Sequence, residues 1–405
     1  MKVRSSEQRS SSSIFNQIVA LIPRNVLEKV TGTFRADKYR KKHTIIDQFI
    51  TMLFSQLSDC NSLREIEAGL AASGNRLIQG DFHPIPRSTL SYLNKHTDPK
   101  IFEAIYYALF HYFKPELRAF SPNKIGKILS LDSSVISLTL NIYDWARYRR
   151  QKGGIKIHTL LDNDSACPEF VTISNASHSD VSICKEFIDR IASGSLITMD
   201  RGYFDSELFK MLDDRHITFV TRLKKGILNE HVGDFHYGDN YIDTGICLRG
   251  KKAQKLLSNK AFRLVEWKGE ENRDGDRVYE FITNAGPEYS AEDIAEIYKK
   301  RWQVELFFKH IKQNCKIKSF VGTSCNAVLT QIWTALISAL LMTVLHRRSQ
   351  QLKSGNHCSK SKFFYLVRLR LLMYIELNWM LTNIEAPQQV WDEVERRQQL
   401  KLNLR

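Results

Sequence analysis

Residues 128–138, ILSLDSSVISL, set an acid in the middle of a β-branched and aliphatic run. Such a run reads as a strand. Asp132 within it needs a reason, because an unpaired carboxylate in apolar surroundings is costly. Residues 153–163, GGIKIHTLLDN, read as a second strand after a Gly-Gly turn, and residues 168–177, PEFVTISNAS, as a third. Two short turns make the three an antiparallel meander. Residues 179–192, SDVSICKEFIDRIA, then have helical spacing, and 195–200, SLITMD, form a buried strand ending at Asp200. RGYFDSELFKMLDDRH (201–216) continues as a helix and ITFVTRLK (217–224) as a further strand.

The order βββαβαβ, followed later by a long helix, is that of an α/β, ribonuclease-H-like core. Residues 226–285 interrupt it. They are rich in Gly and Asp with short alternating stretches, and read as a small inserted β-domain. Upstream, Thr44 with Asp47 and Ser62 with Glu65 have the spacing of capping boxes, and a further helix starts near Ser88. The expected organisation is a disordered start (1–13), a helical N-terminal domain (14–120), a catalytic core (124–225 and 286–348), the insertion (226–285), and a basic linker with C-terminal helices (349–405).

The net charge is +15 at pH 7 and the pI near 9.4. A polyanionic partner follows, with nucleic acid the default, because each Lys or Arg set on a phosphate releases a counterion. Basic residues cluster around the N-terminal helices at Arg35, Lys38, Arg40, Lys41 and Lys42, then at Arg87 and Lys95. Short helices with basic flanks fit a helix-turn-helix-like DNA-binding module. Seven cysteines stand singly, with no C-x-x-C pair, which argues for reduced thiols rather than a zinc ribbon or a disulfide framework. The start of the chain is charged and Ser-rich, without the apolar core of a signal peptide. Residues 328–345 approach membrane-spanning length but carry Thr330, Gln331, Thr334, Ser338 and Thr343, so they read as a buried helix.

A second stretch completes the chemistry. Residues 298–312, YKKRWQVELFFKHIK, follow a capping signal at Ser290 and Asp293. On one continuous helix, Tyr298, Arg301, Glu305 and Lys312 project within about 60° of one another. Ile297, Val304, Phe308 and Ile311 form a neighbouring apolar stripe. A charged row alone reads as a solvated face. Asp132 and Asp200, on strands that neighbour in a mixed sheet, would give Glu305 two partners. Three hard oxygen ligands suit Mg²⁺, with Mn²⁺ as a substitute, better than zinc. Two such ions would activate a nucleophile and stabilise a leaving oxygen in phosphoryl transfer.

Asp132 in SLDSSV, Asp200 in ITMDRGY, and Tyr298-x2-Arg301-x3-Glu305-x6-Lys312 resemble the DDE triad and Y-R-E-K signature of insertion-sequence transposases, in the insertion-sequence 4 family. GGIKIHTLLD resembles that family's second core strand, and the segment from FNQIVALIP to RSTLSYLNK its common amino-terminal domain. The resemblance spans residues 15–345. It implies that Asp132, Asp200 and Glu305 are the catalytic metal ligands, and that Tyr298, Arg301 and Lys312 grip phosphates at the element's end. It further implies double-stranded DNA as partner, both terminal inverted repeats and target, a homodimer in a synaptic complex, no membrane, and a bacterial cytoplasmic, nucleoid-associated location. Relatives cleave through a hairpin and hold a flipped base in an aromatic pocket. Trp267 and Trp302 are candidates for it, though both read more readily as packing residues. His178 and a basic strip of Arg147, Arg149, Arg150, Lys152 and Lys156 also lie near the core strands.

Two other readings compete. A ribonuclease-H-like nuclease without strand transfer has no use for the Y-R-E-K row. A catalytically idle, domesticated DNA-binding protein would be expected to lose a carboxylate, and all three are present.

Overall fold

The computed structural model describes residues 10–73, 82–118, 126–149, 152–269, 278–352, 358–393 and 396. The chain divides into two compact units, residues 1–120 with 309–405, and residues 121–308. Of the start expected to be disordered (1–13), residues 1–9 lie outside the described residues, whereas Ser12 and Ser13 are buried and Ser13 caps the first helix.

The first unit is helical. It contains α1 (Ile14–Ala20), α2 (Arg24–Thr33), α3 (Ile45–Leu57), α4 (Leu63–Ala72), α5 (Arg87–His96) and α6 (Lys100–Arg118), joined after the second unit by α12 (Cys325–Leu352), α13 (Lys360–Leu369) and α14 (Leu377–Thr382). Capping explains several starts. Ser13 and Ser62 accept N–H groups of their own first turns, and Thr44 and Asp47 form a reciprocal box. Glu65 closes its half of the second signal on the Asn61 N–H instead of that of Ser62. α1 ends before Pro23. That proline precedes α2 directly, as suits a residue with fixed φ and no N–H. α12 is long and apolar enough to cross a membrane, yet 94 % of its apolar window is buried in the protein. It packs on α3, α5, α6, α13 and α14. Thr334, Ser338 and Thr343 each bond a carbonyl one turn back in the same helix, Thr334 that of Thr330 at 2.8 Å.

The second unit is built on one ten-stranded sheet. Its strands are β1 (Ile128–Leu138), β2 (Arg147–Arg149), β3 (Lys152–Asp162), β4 (Cys167–Asn175), β5 (Leu196–Met199), β6 (Thr218–Arg222), β7 (Asn229–Tyr237), β8 (Tyr241–Leu248), β9 (Ala261–Lys268) and β10 (Val278–Thr283). Its helices are α7 (Asp180–Phe187), α8 (Ser206–Asp214), α9 (Lys251–Leu257), α10 (Ala291–Lys300) and the start of α11 (Trp302–Asn314). β4, β3 and β1 pair antiparallel, then β5 and β6 run parallel to β1. That is the mixed α/β, ribonuclease-H-like order. The connection from β1 to β3 is longer than the expected Gly-Gly turn. It carries β2, and both glycines lie inside β3, where a Cβ on Gly153 would meet the Leu138 carbonyl oxygen at 2.7 Å.

The strands expected as a separate β-domain differ from that picture. β10 pairs with β6, and β9, β8 and β7 follow outward, so they extend the core sheet. Main-chain ladder bonds supply the reason: β6 would otherwise present an open edge. One face of the sheet packs α7, α8 and α9 through Leu131, Met199, Tyr203, Phe209 and Phe219. The other face packs α10 through Ile128, Val220, Val265, Phe281 and Ile294.

Candidate active site

β1 and β5 run parallel with Leu131 level with Met199. Asp132 and Asp200, one residue further in each chain segment, therefore stand side by side at adjacent strands, with backbones about 5 Å apart. The Ser130 and Thr198 hydroxyls, two residues back, bond each other at 3.0 Å, and Ser130 reaches the Lys300 carbonyl at 3.4 Å. Strand alternation puts Asp132 and Asp200 on that same face, the one α10 covers. Both acids are locally held. Asp132 accepts the Ser133 N–H at 2.7 Å and Asp200 the Gly202 N–H at 2.8 Å. A Cβ on Gly202 would come within 2.9 Å of that Asp200 oxygen, so the turn after the strand is built for glycine.

The helix bearing Tyr298 and Glu305 starts as expected, with Ser290 and Asp293 in a reciprocal box. It is not continuous. α10 ends at Lys300, Arg301 sits in a tight turn with its N–H on the Tyr298 carbonyl at 3.0 Å, and α11 begins at Trp302. The interruption is one residue long and Arg301 keeps helical backbone angles (φ −54°, ψ −32°), so Tyr298, Arg301 and Glu305 still meet at helical spacing. The turn brings the Arg301 guanidinium to 2.6 Å from the Glu305 carboxylate and 5.5 Å from the Tyr298 ring. Tyr298 itself packs on Phe281 of β10, ring centroids 4.8 Å apart. Lys312 lies on the last turn of α11, seven residues past Glu305, in the chain segment belonging to the other unit.

Electrostatics ties these groups together. Burial, then the like charges of Asp200 and Glu305, push the Asp132 carboxyl up to about 6, against the opposing Ser133 N–H and Arg301. Burial also raises the Tyr298 phenol, with Arg301 opposing. For Arg301, burial opposes the charge, but Tyr298 and Glu305 outweigh it and hold the guanidinium above its ordinary value. Among the described residues no group of three His, Cys, Asp or Glu side chains is arranged to hold a metal ion. Here the Glu305 carboxylate is turned onto Arg301.

Sequence reasoning passed over Arg222. Met199 is level with Thr221 across β5 and β6, so Arg222 stands beside Asp200, its guanidinium 5.0 Å from the Tyr279 ring. No local signal marks it out: it is a cation near the end of its strand, and the pairing of β5 with β6 sets it beside Asp200. Thr221 Oγ1 also donates to the Asp200 carbonyl at 3.1 Å.

The lesser candidates separate. Trp267 stacks on Tyr241 within the packed face of the sheet, whereas Trp302 is 56 % exposed. Lys156 is engaged, 3.3 Å from Asp180 and bonded to the His178 carbonyl. Arg147 is exposed on β2, Arg149 and Lys152 are described by backbone only, and Arg150 lies outside the described residues. Two further acids of this unit have local roles: Asp205 caps α8 and pairs with Lys185 and Lys252, and Asp162 is buried at the end of β3.

A family described as Transposase DDE domain matches residues 124–341, and one described as Domain of unknown function (DUF4372) matches residues 10–80. A putative transposase, y4zB, of Sinorhizobium fredii is 31 % identical over 223 residues, 54 % of this chain and 60 % of that protein. A probable transposase for insertion sequence element IS5377 of Geobacillus stearothermophilus is 27 % identical, over 62 % of this chain and 63 % of that one. A putative transposase for insertion sequence element IS4SA of Synechocystis is 28 % identical, over 64 % of this chain and 71 % of that one. The chain thus spans less than two thirds of the length of the first two relatives. A solved piggyBac transposase synaptic complex with hairpin DNA aligns over 96 % of this chain and 87 % of its own, at 12 % identity and a TM-score of 0.44. The matched stretch holds every strand of the sheet with Asp132 and Asp200, and it exceeds half the chain: this protein belongs to the transposase DDE domain family.

Proposed function

We propose that this protein is a DNA transposase that cleaves at the ends of an insertion sequence and joins them to target DNA. Asp132, Asp200 and Glu305 would act as metal ligands, and Tyr298, Arg301 and Lys312 as phosphate contacts in the manner of the Y-R-E-K branch. The observation carrying this reading is the pair of acids at the adjacent strands β1 and β5, on the face that α10 covers, with α11, which bears Glu305, following α10 directly.

The donor set fits a hard divalent cation such as Mg²⁺ or Mn²⁺. It is all carboxylate oxygen, and a cation would offset both the burial and the like charges of Asp200 and Glu305 that raise Asp132. When bound, such ions supply charge stabilisation and an activated oxygen nucleophile for in-line phosphoryl transfer. The chain's own residues do the positioning. Arg301 and Arg222 offer cations beside the acids, Arg301 as a planar fork suited to phosphate. The packed Tyr298 ring keeps Arg301 from swinging into solvent.

Two ends have to be held together for joining, so the working form is a homodimer or larger complex on DNA, in the cytoplasm at the nucleoid. The test is a nicking assay with DNA carrying the element's terminal repeats and Mg²⁺. Wild type nicks at the ends, and Asp132→Asn, Asp200→Asn and Glu305→Gln each abolish this while retaining end binding. A Glu305→Gln variant that cuts as well as wild type would overturn the assignment.

A further inference from the structure

The basic run between α2 and α3, residues 34–43 (FRADKYRKKH), is not a simple solvated charge cluster. Its five cations take two different roles. Arg40 turns inward: one of its guanidinium nitrogens donates to Gln48 at 2.9 Å and to Thr97 at 2.8 Å, and its Nε lies 3.8 Å from Asp37. Gln48 is fully buried in α3 and Thr97, at the end of α5, is 6 % exposed, so Arg40 anchors the loop into the helical core. Asp37, the one acid of the run, is also consumed inside the loop, accepting the Ile45 N–H at 2.6 Å. Further backbone bonds close the loop, Ala36 to Thr31 at 2.9 Å and Arg40 to Asp37 at 3.0 Å.

A loop held this firmly has no reason to keep strained residues unless they are used. Yet Arg35 has φ 47° and Tyr39 φ 72°, left-handed values that side chains with a Cβ adopt only at a cost. The turn at Tyr39 is the point where the chain sends Arg40 in, and it throws the neighbouring aromatic out. Tyr39 is 88 % exposed, the most exposed large hydrophobic side chain described, with the Lys38 ammonium 4.9 Å from its ring centre. Lys38, Lys41 and Lys42 are exposed around it.

We propose that residues 34–43 are a DNA-contacting loop, in which Lys38, Lys41 and Lys42 bind backbone phosphates while Tyr39 stacks on or wedges against bases. Arg40 is its positioning residue. This rests on the reading of the protein as a DNA-acting transposase, and it gives a role to part of a segment whose matching family has none described. The chemistry matches duplex DNA because three cations beside one rigid aromatic supply both halves of that interaction: charge for the phosphates, a flat apolar face for a base. A salt-dependent and a salt-independent part of binding are therefore carried by different side chains.

The experiment measures binding of the full chain to end-containing duplex across a salt series. Lys38→Gln/Lys41→Gln/Lys42→Gln should weaken binding and lower the slope of log K against log salt by about 3, roughly 0.9 for each phosphate that is no longer neutralised. Tyr39→Ala should weaken binding about 10-fold, as expected when one base loses its stacking partner, with the slope unchanged. Tyr39→Phe should bind as wild type. Tyr39→Gly should bind as weakly as Tyr39→Ala yet melt higher than Tyr39→Ala, since glycine accepts the positive φ. That opposed movement is one a merely structural tyrosine would not produce. Loop variants that bind as wild type overturn the proposal. If Arg87→Gln/Lys95→Gln weakens binding in the same assay, the N-terminal DNA-binding reading still stands without the loop. If that variant too binds as wild type, both fall.

Discussion

Arg301 lies 2.6 Å from the carboxylate of Glu305, one turn along from it, at the break between α10 and α11. The acid expected to complete a metal site is thus held by a cation of the same signature. A divalent ion has to displace that guanidinium, and a partly buried pair of this kind contributes about 1 kcal/mol. Arg301→Gln should therefore tighten Mn²⁺ binding to the DNA-free protein about threefold while lowering end cleavage. Titration calorimetry with Mn²⁺ reads the first effect. Unchanged or weaker binding would show that Arg301 does not compete for Glu305.

Asp132 carries charge against two other acids in a largely buried position. Asp132→Asn removes that repulsion while keeping shape and the Ser133 hydrogen bond. The metal-free protein should melt higher by a few degrees at neutral pH, although the variant is inactive. Equal melting temperatures for variant and wild type would mean that the acids do not repel one another in solution.

His158, 1 % exposed on β3, bonds Ser174 at 2.9 Å and lies 3.4 Å from Asp180. Burial lowers its imidazole to about 4 against the pull of Asp180. A depressed folded value gives stability that is fully present above the ordinary 6.5 and is lost as pH falls through about 4. On the order of 2–3 kcal/mol is at stake. His158→Gln should flatten the fall in unfolding free energy between pH 6.5 and 4, measured by urea titration. An unaltered pH profile would move the acid sensitivity to another group.

Arg263 on β9 holds Asp243 on β8 with bonds of 2.9 and 2.5 Å, and donates to the carbonyls of Gly286 and Tyr289 just before α10. Asp243→Ala leaves a largely buried guanidinium without its counter-charge and should cost about 3 kcal/mol. Asp243→Ala/Arg263→Met should recover most of it. A double variant no more stable than the single one would locate the loss elsewhere.

Much of the second unit was readable because its signals are local. β1 spans residues 128–138, the run that reads as a strand, since alternating aliphatic and β-branched side chains suit a pleated surface wherever it lies. The boxes at Thr44 with Asp47 and Ser290 with Asp293 formed as spaced, because a cap involves only residues one turn apart. Arg222 was passed over for the opposite reason. In its own strand it is one more terminal cation, and only the β5–β6 register sets it beside Asp200.

The sequence by itself determined the strand and helix types, their order, and the residue kinds of the candidate site, all set by interactions within a few residues. The tertiary structure alone decided three things. β7 to β10 join the core sheet, because ladder bonds to β6 satisfy an edge no local pattern can see. The signature helix breaks at Arg301, where the guanidinium meets Glu305 and the Tyr298 ring packs on β10. And Arg40, in sequence one more cation of a basic run, turns into the core to meet Gln48 and Thr97, which lie 8 and 57 residues away.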